Sequence, residues 1–230
     1  MIQLRDVSKK FKLYNQQNAL ISVIENANLK VNPGECVALV GTSGSGKSTL
    51  MKMIYGNYLA TSGSILVDGI DLTKAEPREI LEVRKRKLGY VSQFLRVVPR
   101  VPSLKVVAEP LLSIGKPEAE SLEIAEALLE ELNIPRKLWP LSPTTFSGGE
   151  QQRVNIARGF SYAFPVLLLD EPTASLDKEN RDIVISLINR AKNKGTAIVG
   201  IFHDQQAREL ICDREIDVKK FTPDINGSDA

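Results

Sequence analysis

The sequence predicts an α/β fold whose parallel core is interrupted by a block of helices. Three observations predict it. The short run Val166–Leu169 is wholly apolar, as a strand buried on both faces must be. The strand pattern Glu35–Val40 runs through a glycine-rich turn straight into a helical pattern carrying Leu50, Met51 and Ile54. Between these two stretches, from about Leu104 to Tyr162, the pattern is helical, and α/β alternation lies on either side of it.

Taken in order, the chain up to about residue 35 reads as strands with turns, ending at the turn Asn32-Pro33-Gly34. The helix after the glycine-rich turn should start near Lys47. Ser64–Val67, Asp68-Gly69 and Ile70–Leu72 form a hairpin signal, because Asp-Gly suits a type I′ turn. Pro77–Lys87 reads as a helix and Leu88–Gln93 as a strand. In the helical block Leu122, Ala125, Leu128, Leu129 and Leu132 share one face, and Pro135 and Pro140 break the chain. Thr144–Phe160 then opens with a hydroxyl and two glycines and becomes helical from Glu150, with Val154, Ala157 and Ser161 on one side. Ile183, Val184, Leu187, Ile188 and Ala191 mark a further helix, stopped by Gly195, and Thr196–Phe202 is another strand. The tail 222–230 is expected to be disordered. There is no internal repeat.

Composition narrows the function. The 230 residues suffice for a real core, and 43% hydrophobic with 25% charged residues is ordinary for a globular chain. A net charge of +2 offers no general electrostatic case for nucleic acid or membrane binding. The basic run Arg84–Lys87 reads as a solvated helix end. Of the two cysteines, Cys36 sits in an apolar run and reads as a buried thiol. No disulfide framework or CxxC site is apparent, which fits a reducing cytoplasm. The N-terminal stretch has no apolar signal region, and no uncharged apolar run approaches the length of a membrane span. Direct membrane insertion is therefore not expected, and a membrane role would need another chain.

Gly41-Thr42-Ser43-Gly44-Ser45-Gly46-Lys47-Ser48-Thr49 matches GxxxxGK(S/T) between a strand and a helix. Glycines let the backbone curl so that its N–H groups surround phosphate oxygens. Lys47 adds a cation at the β/γ-phosphates, and the Ser48 hydroxyl is suited to Mg²⁺. The strand ending at Leu169 delivers Asp170 toward the same place, as an acid for the metal, and Glu171 as an acid to polarise water. His203 follows a core strand on the same side and is expected at the γ-phosphate. Gln93 ends another strand, where its amide can reach metal or water. Small residues before a helix suit an anion, so Ser147-Gly148-Gly149-Glu150 reads as a second phosphate site.

These motifs, with Ala174-Ser175-Leu176-Asp177, occur in the order and approximate spacing of the ATP-binding cassette family, and the resemblance covers nearly the whole chain. It implies a P-loop NTPase: a RecA-like core with an antiparallel β subdomain (residues 1–93 and 163–221) and an inserted helical subdomain (94–162). It implies ATP and Mg²⁺ as ligands and a homodimer or heterodimer of ATPase chains. Phe11 falls where the family places an aromatic against adenine, with Tyr14 as the nearby alternative. Ser147, Gly148 and Gly149 resemble the signature that binds ATP held on the facing chain, with Asp177 at the dimer seam. Here the signature reads FSGGE rather than the commoner LSGGQ. Members that act in DNA repair carry a long coiled coil between the core halves, and those that act in translation carry two cassettes; this chain has neither.

A narrower resemblance, in Val91–Arg100, Phe146–Phe160 and Ala197–Asp204, is to the PhnL-type subunits of the bacterial carbon–phosphorus lyase system. It implies a cytoplasmic partner, the lyase core. It also implies association with forming ribose 1-phosphonate 5-triphosphate from ATP and a phosphonate. Lipoprotein- and macrolide-export ATPases are similar around Gln93 and give the alternative reading. They usually carry Val-Thr-His-Asp where this chain has Ile201-Phe202-His203-Asp204. No residue suited to displacing adenine is apparent. The apolar segment Gln93–Pro102, flanked by Arg96 and Arg100, reads as a protein docking surface; the same region meets the permease in transporters.

Overall fold

The computed structural model describes residues 1–13 and 18–223. Tyr14 and the tail residues 224–230 lie outside the described residues. The chain opens with two long strands, β1 (Ile2–Leu13) and β2 (Ala19–Val31), followed by β3 (Cys36–Val40) and α1 (Lys47–Ile54). Next come β4 (Ser62–Val67), β5 (Ile70–Asp71), α2 (Pro77–Arg86) and β6 (Leu88–Val91). The helical block holds α3 (Ser103–Ser113), α4 (Glu118–Glu131) and α5 (Gly148–Phe160), with short 3₁₀ turns between α4 and α5. The chain returns through β7 (Val166–Asp170), α6 (Lys178–Asn193), β8 (Ala197–Ile201), α7 (Gln205–Ile211) and β9 (Arg214–Asp217).

Two sheets result. One is antiparallel, in the order β2-β1-β4-β5, and its β4–β5 hairpin turns at Asp68 and Gly69, both at positive φ as a type I′ turn requires. The other is wholly parallel, in the order β6-β7-β8-β3-β9. Its central strands β7, β8 and β3 are almost wholly apolar because both faces are covered, whereas the edge strand β9 is charged and half-exposed. Alternate residues serve two separate cores. Val37, Leu39, Leu168 and Val199 face α1 and the antiparallel sheet, among Leu4, Leu50 and Ile54. Ala38, Leu167, Leu169 and Ile198 face the helices, among Val107, Leu129, Val154 and Ile188. The helical block closes on Trp139, whose indole N–H donates to the Ile134 carbonyl at 2.9 Å.

Several boundaries differ from the sequence reading. β6 ends at Val91, so Gln93 lies in the loop beyond it, and β8 spans Ala197–Ile201 without Thr196 or Phe202. Residues 94–102 are irregular, and α3 starts at Ser103. α5 begins two residues before Glu150 because Ser147 caps it. Arg84 is not merely solvated: its guanidinium donates to the Tyr55 carbonyl at 2.9 Å and to Asn57 at 2.8 Å and lies over the Tyr55 ring. Lys87 pairs with Asp68 at 2.6 Å. Thr222 belongs to the fold rather than to a loose tail, its hydroxyl donating to Ser45 O at 3.3 Å.

Gly159 sets how closely α5 lies on β6. A Cβ there would sit 2.3 Å from Cγ2 of the fully buried, β-branched Val91. Gly159→Ala is expected to lower the unfolding free energy by about 1–3 kcal/mol through overpacking. Urea denaturation checks this, and an unchanged midpoint would contradict it.

Candidate nucleotide site

In a parallel sheet every strand ends at the same edge, and loops at that edge are where such folds hold ligands. Val40 leads there into the glycine-rich loop, Asp170 and Glu171 sit at the end of β7, and Phe202-His203 follow β8. Gln93 arrives two residues past β6.

The loop is built on left-handed glycines: φ is 138° at Gly41, 80° at Gly44 and 92° at Gly46. At Gly46 a side chain is excluded twice, by that φ and by Ile24 Cδ1, 2.8 Å from where a Cβ would stand. Thr42 O accepts from Ser45 N at 3.2 Å, and Gly46 O accepts from Leu50 N as α1 begins. Lys47 folds back over the loop, its ammonium donating to Gly41 O at 2.8 Å and Thr42 O at 3.0 Å. Its charge therefore lies at the loop's centre. Ser45 is buried inside the loop, and its hydroxyl oxygen has no partner.

A cavity of about 290 Å³ opens here. Ser43, Ser48, Thr49 and the loop glycines line it, and across it stand Glu171 and His203. Val23 of β2 also lines it, a residue the sequence reading did not single out. Phe11 is not among the lining residues; its ring packs edge-on against Tyr58 at 5.3 Å with Lys9 over it. A larger cavity, about 620 Å³, lies between α4, α6 and the turn after α5. It contains none of the predicted groups, so chemistry rather than size identifies the site.

Glu171 joins three strand ends. Its Oε2 accepts from the Gln93 amide at 3.2 Å, and its Oε1 lies 2.8 Å from His203 Nε2. Its backbone is left-handed, φ 55°, an uncommon conformation for a side chain of this size. Glu171 N donates to Ile201 O at 2.9 Å, and Gln152 of α5 reaches the Glu171 carbonyl, which fixes the turn. A carboxylate held this way can orient a water and accept its proton.

Asp170 differs from its neighbour. Burial pushes its carboxyl up, the adjacent Glu171 charge adds to this, and a hydrogen bond from the Tyr90 hydroxyl at 3.1 Å opposes it. Burial in turn pushes the Tyr90 phenol up. A cation beside Asp170 relieves this strain. The expected Mg²⁺ set, the Ser48 hydroxyl, the Gln93 amide oxygen and Asp170, consists of the hard oxygen donors that ion takes. Among the described residues no group of three or more His, Cys, Asp or Glu is placed to hold a metal ion.

The second predicted phosphate site stands apart. Ser147 and Gly148 are exposed at the start of α5 and do not line the cavity of their own chain. Phe146, buried just before them, fills core space, which accounts for an aromatic at that position. Ser147 and Glu150 cap the helix reciprocally: the Ser147 hydroxyl donates to Glu150 Oε2 at 2.6 Å and Ser147 N donates to the same oxygen at 2.9 Å. These bonds hold the Glu150 carboxyl below its ordinary value. Gly149 approaches the Ser175 carbonyl; a Cβ would lie 3.4 Å from it. Asp177 caps α6, accepting from Asn180 N at 2.9 Å.

Comparison with known proteins agrees with this geometry. The sequence model of the ABC transporter family matches residues 24–174. The lipoprotein-releasing system ATP-binding protein LolD of Aquifex aeolicus is 38% identical over 82% of this chain and 84% of its own length. The macrolide export ATP-binding/permease protein MacB of Brucella melitensis is 33% identical over 95% of this chain but only 33% of its own length. Among solved structures, the ATP-binding cassette MJ0796, a dimer bound to ADP and Pi, superposes with a TM-score of 0.86 at 28% identity, covering 95% of both chains.

Glu171→Gln keeps the size and the contact geometry but removes the proton acceptor. ATP should still bind, and turnover should fall by on the order of 10²–10⁴. Single-turnover hydrolysis with labelled ATP checks this, and turnover equal to that of the unaltered protein would remove Glu171 as the base.

Proposed function

The chain belongs to the ABC transporter family, and from that premise we propose that it hydrolyses MgATP at a head-to-tail dimer interface to drive a membrane-embedded transport partner. The observation that carries the dimer is the separation of the two phosphate sites. In the signature, Ser147 and Gly148 are exposed and Gly149 is half-buried, and all three lie outside the cavity that holds Lys47 and Glu171. A second copy, turned head to tail, would bring each signature to the other chain's loop. In this arrangement Lys47 and the loop hold the phosphates, Ser48, Gln93 and Asp170 hold Mg²⁺, and Glu171 activates water. His203 contacts the γ-phosphate, and Asp177 lies at the seam. Phe11 remains the candidate for adenine.

The relatives favour transport over phosphonate catabolism. The names of those described above belong to lipoprotein release and macrolide export. The departure at Phe202, which set the chain apart from export ATPases, has a packing cause. Phe202 is buried, and its ring lies over Gly200, where a Cβ would be 2.3 Å from the ring edge. An aromatic at 202 and a glycine at 200 thus form a compensating pair, which says nothing about substrate. No helix among the described residues is long and apolar enough to cross a membrane, so the transport path would belong to the partner.

The surface for that partner lies beyond β6. Phe94 and Val98 are each 71% exposed, whereas Leu95 and Val97 pack on the core, so only part of the predicted patch is available. Beside it a groove of about 460 Å³ runs between α2 and α3, bordered by Leu81, Arg84, Glu109 and Arg158. Exposed Phe94 and Val98 beside a groove with charged walls suit a helical segment of the partner that has both apolar and charged faces.

Two experiments test the reading. Sedimentation of Glu171→Gln with ATP should show dimers, and adding Ser147→Arg should abolish them while nucleotide binding remains; ATP-driven dimers in both would show that the signature does not act in trans. Phe94→Asp should lose co-purification with an integral membrane protein while retaining ATP binding. Recovery of soluble lyase subunits with the unaltered protein would instead restore the phosphonate reading.

A further inference from the structure

The chain contains two cysteines, 176 positions apart, and the fold brings their sulfurs to 3.7 Å. We propose that Cys36 and Cys212 form a reversible intramolecular disulfide, a thiol–disulfide exchange site at the base of the strand that carries the phosphate loop.

The surrounding backbone is already locked in the closed arrangement. Cys36 opens β3 and is fully buried. Its N–H donates to Asp213 Oδ2 at 2.8 Å, and its carbonyl accepts from Asp213 N at 2.9 Å. β9, starting at Arg214, then pairs with β3 from Val37 onward. Cys212 ends α7, its N–H accepted by the Arg208 carbonyl at 2.8 Å. The Lys192 ammonium ties the same corner, donating to Ile211 O at 3.0 Å and Asp213 Oδ1 at 2.7 Å. The sulfurs need to close from 3.7 Å to a bonding distance of about 2.05 Å between segments that are already hydrogen-bonded to each other.

The two thiols are unequal, which sets the order of events. Cys212 is half-buried and open to a small reagent. Cys36 is sealed, and the contact with Cys212 and burial both push its thiol up, so it is the resolving partner. The Cys212 thiolate attacks one sulfur of a low-molecular-weight disulfide; that S–S bond breaks, and one thiol leaves with a proton. Cys36 Sγ then attacks Cys212 Sγ; the Cys212–small-thiol S–S bond breaks, and the proton of Cys36 passes to the departing sulfur, which leaves as the second thiol. Two protein thiols are oxidised and one small disulfide is reduced to two thiols.

The bond would tie together two parts of the nucleotide site. β3 runs directly into Gly41, and α7 directly follows the His203 segment. A covalent link between the start of β3 and the end of α7 restrains these segments relative to one another. The effect on turnover rests on the ATPase reading; the bond itself does not.

Treating the whole protein with oxidised glutathione under native conditions tests both parts. Intact mass should fall by two hydrogens, a tryptic peptide pair should link Cys36 to Cys212, and dithiothreitol should reverse both. Cys212→Ser should show neither change. The bridged protein should bind ATP and turn it over severalfold more slowly, with recovery on reduction. A glutathione adduct that persists on Cys212, or a disulfide-linked dimer, would overturn the proposed bond. A confirmed bridge with unchanged turnover would overturn the regulatory consequence alone.

Discussion

Parallel pairing in the order β6-β7-β8-β3 obliges four strand ends to meet at one edge, and the chemistry of the protein is gathered there. The contact that expresses this constraint is the carboxylate of Glu171. One oxygen is held by Gln93 from beyond β6 and the other by His203 from beyond β8, while its own strand, β7, lies between them. The phosphate loop follows β3 on the same edge. A shift in the register of β7 relative to β3 would carry Asp170 and Glu171 together away from Lys47, and a shift of β6 or β8 would withdraw Gln93 or His203 from Glu171. The two alternating cores on either face of the sheet protect that register, because a slip by one residue would move each strand's apolar set to the opposite core.

The same edge underlies the proposed two-chain site. Lys47, Ser48 and Glu171 surround one side of the cavity, and no group from α5 closes the other. The helix N-terminus that could supply N–H donors to a phosphate is exposed and meanwhile satisfies itself through the reciprocal cap between Ser147 and Glu150. A facing phosphate would compete with the Glu150 carboxylate for the Ser147 hydroxyl. The cap thus satisfies the helix end within the single chain.

Much of this was legible in the sequence because the signals are local. The glycine-rich loop carries its own geometry, Val166–Leu169 reads as a buried strand and places Asp170 and Glu171, and α1 starts at Lys47 as expected. What escaped depends on contacts between distant segments. Val23 lines the cavity only because β2 crosses the loop, and Ile24 adds a second bar to a side chain at Gly46 beside its positive φ. Phe202 reads in the sequence only as a departure from export ATPases, because its pairing with Gly200 needs the ring's placement over that glycine. Arg84 looked solvated because Tyr55 and Asn57, its acceptors, lie 29 and 27 positions away. The nearness of Cys36 and Cys212 follows from β9 pairing beside β3, which periodicity does not reveal. The phosphonate reading rested on short stretches of the chain, whereas the export ATPases match across most of it.

The central claim is that a complete site takes its loop from one chain and its signature from another. Mixing two disabled variants tests it most directly. Lys47→Ala lacks a working loop but keeps its signature, and Ser147→Arg keeps its loop but lacks a signature. A mixed head-to-tail pair holds one intact site, although neither variant alone forms any. ATP hydrolysis absent from each preparation should appear when they are combined. Hydrolysis by Ser147→Arg alone at the unaltered rate would show that each chain is sufficient by itself and would contradict the account.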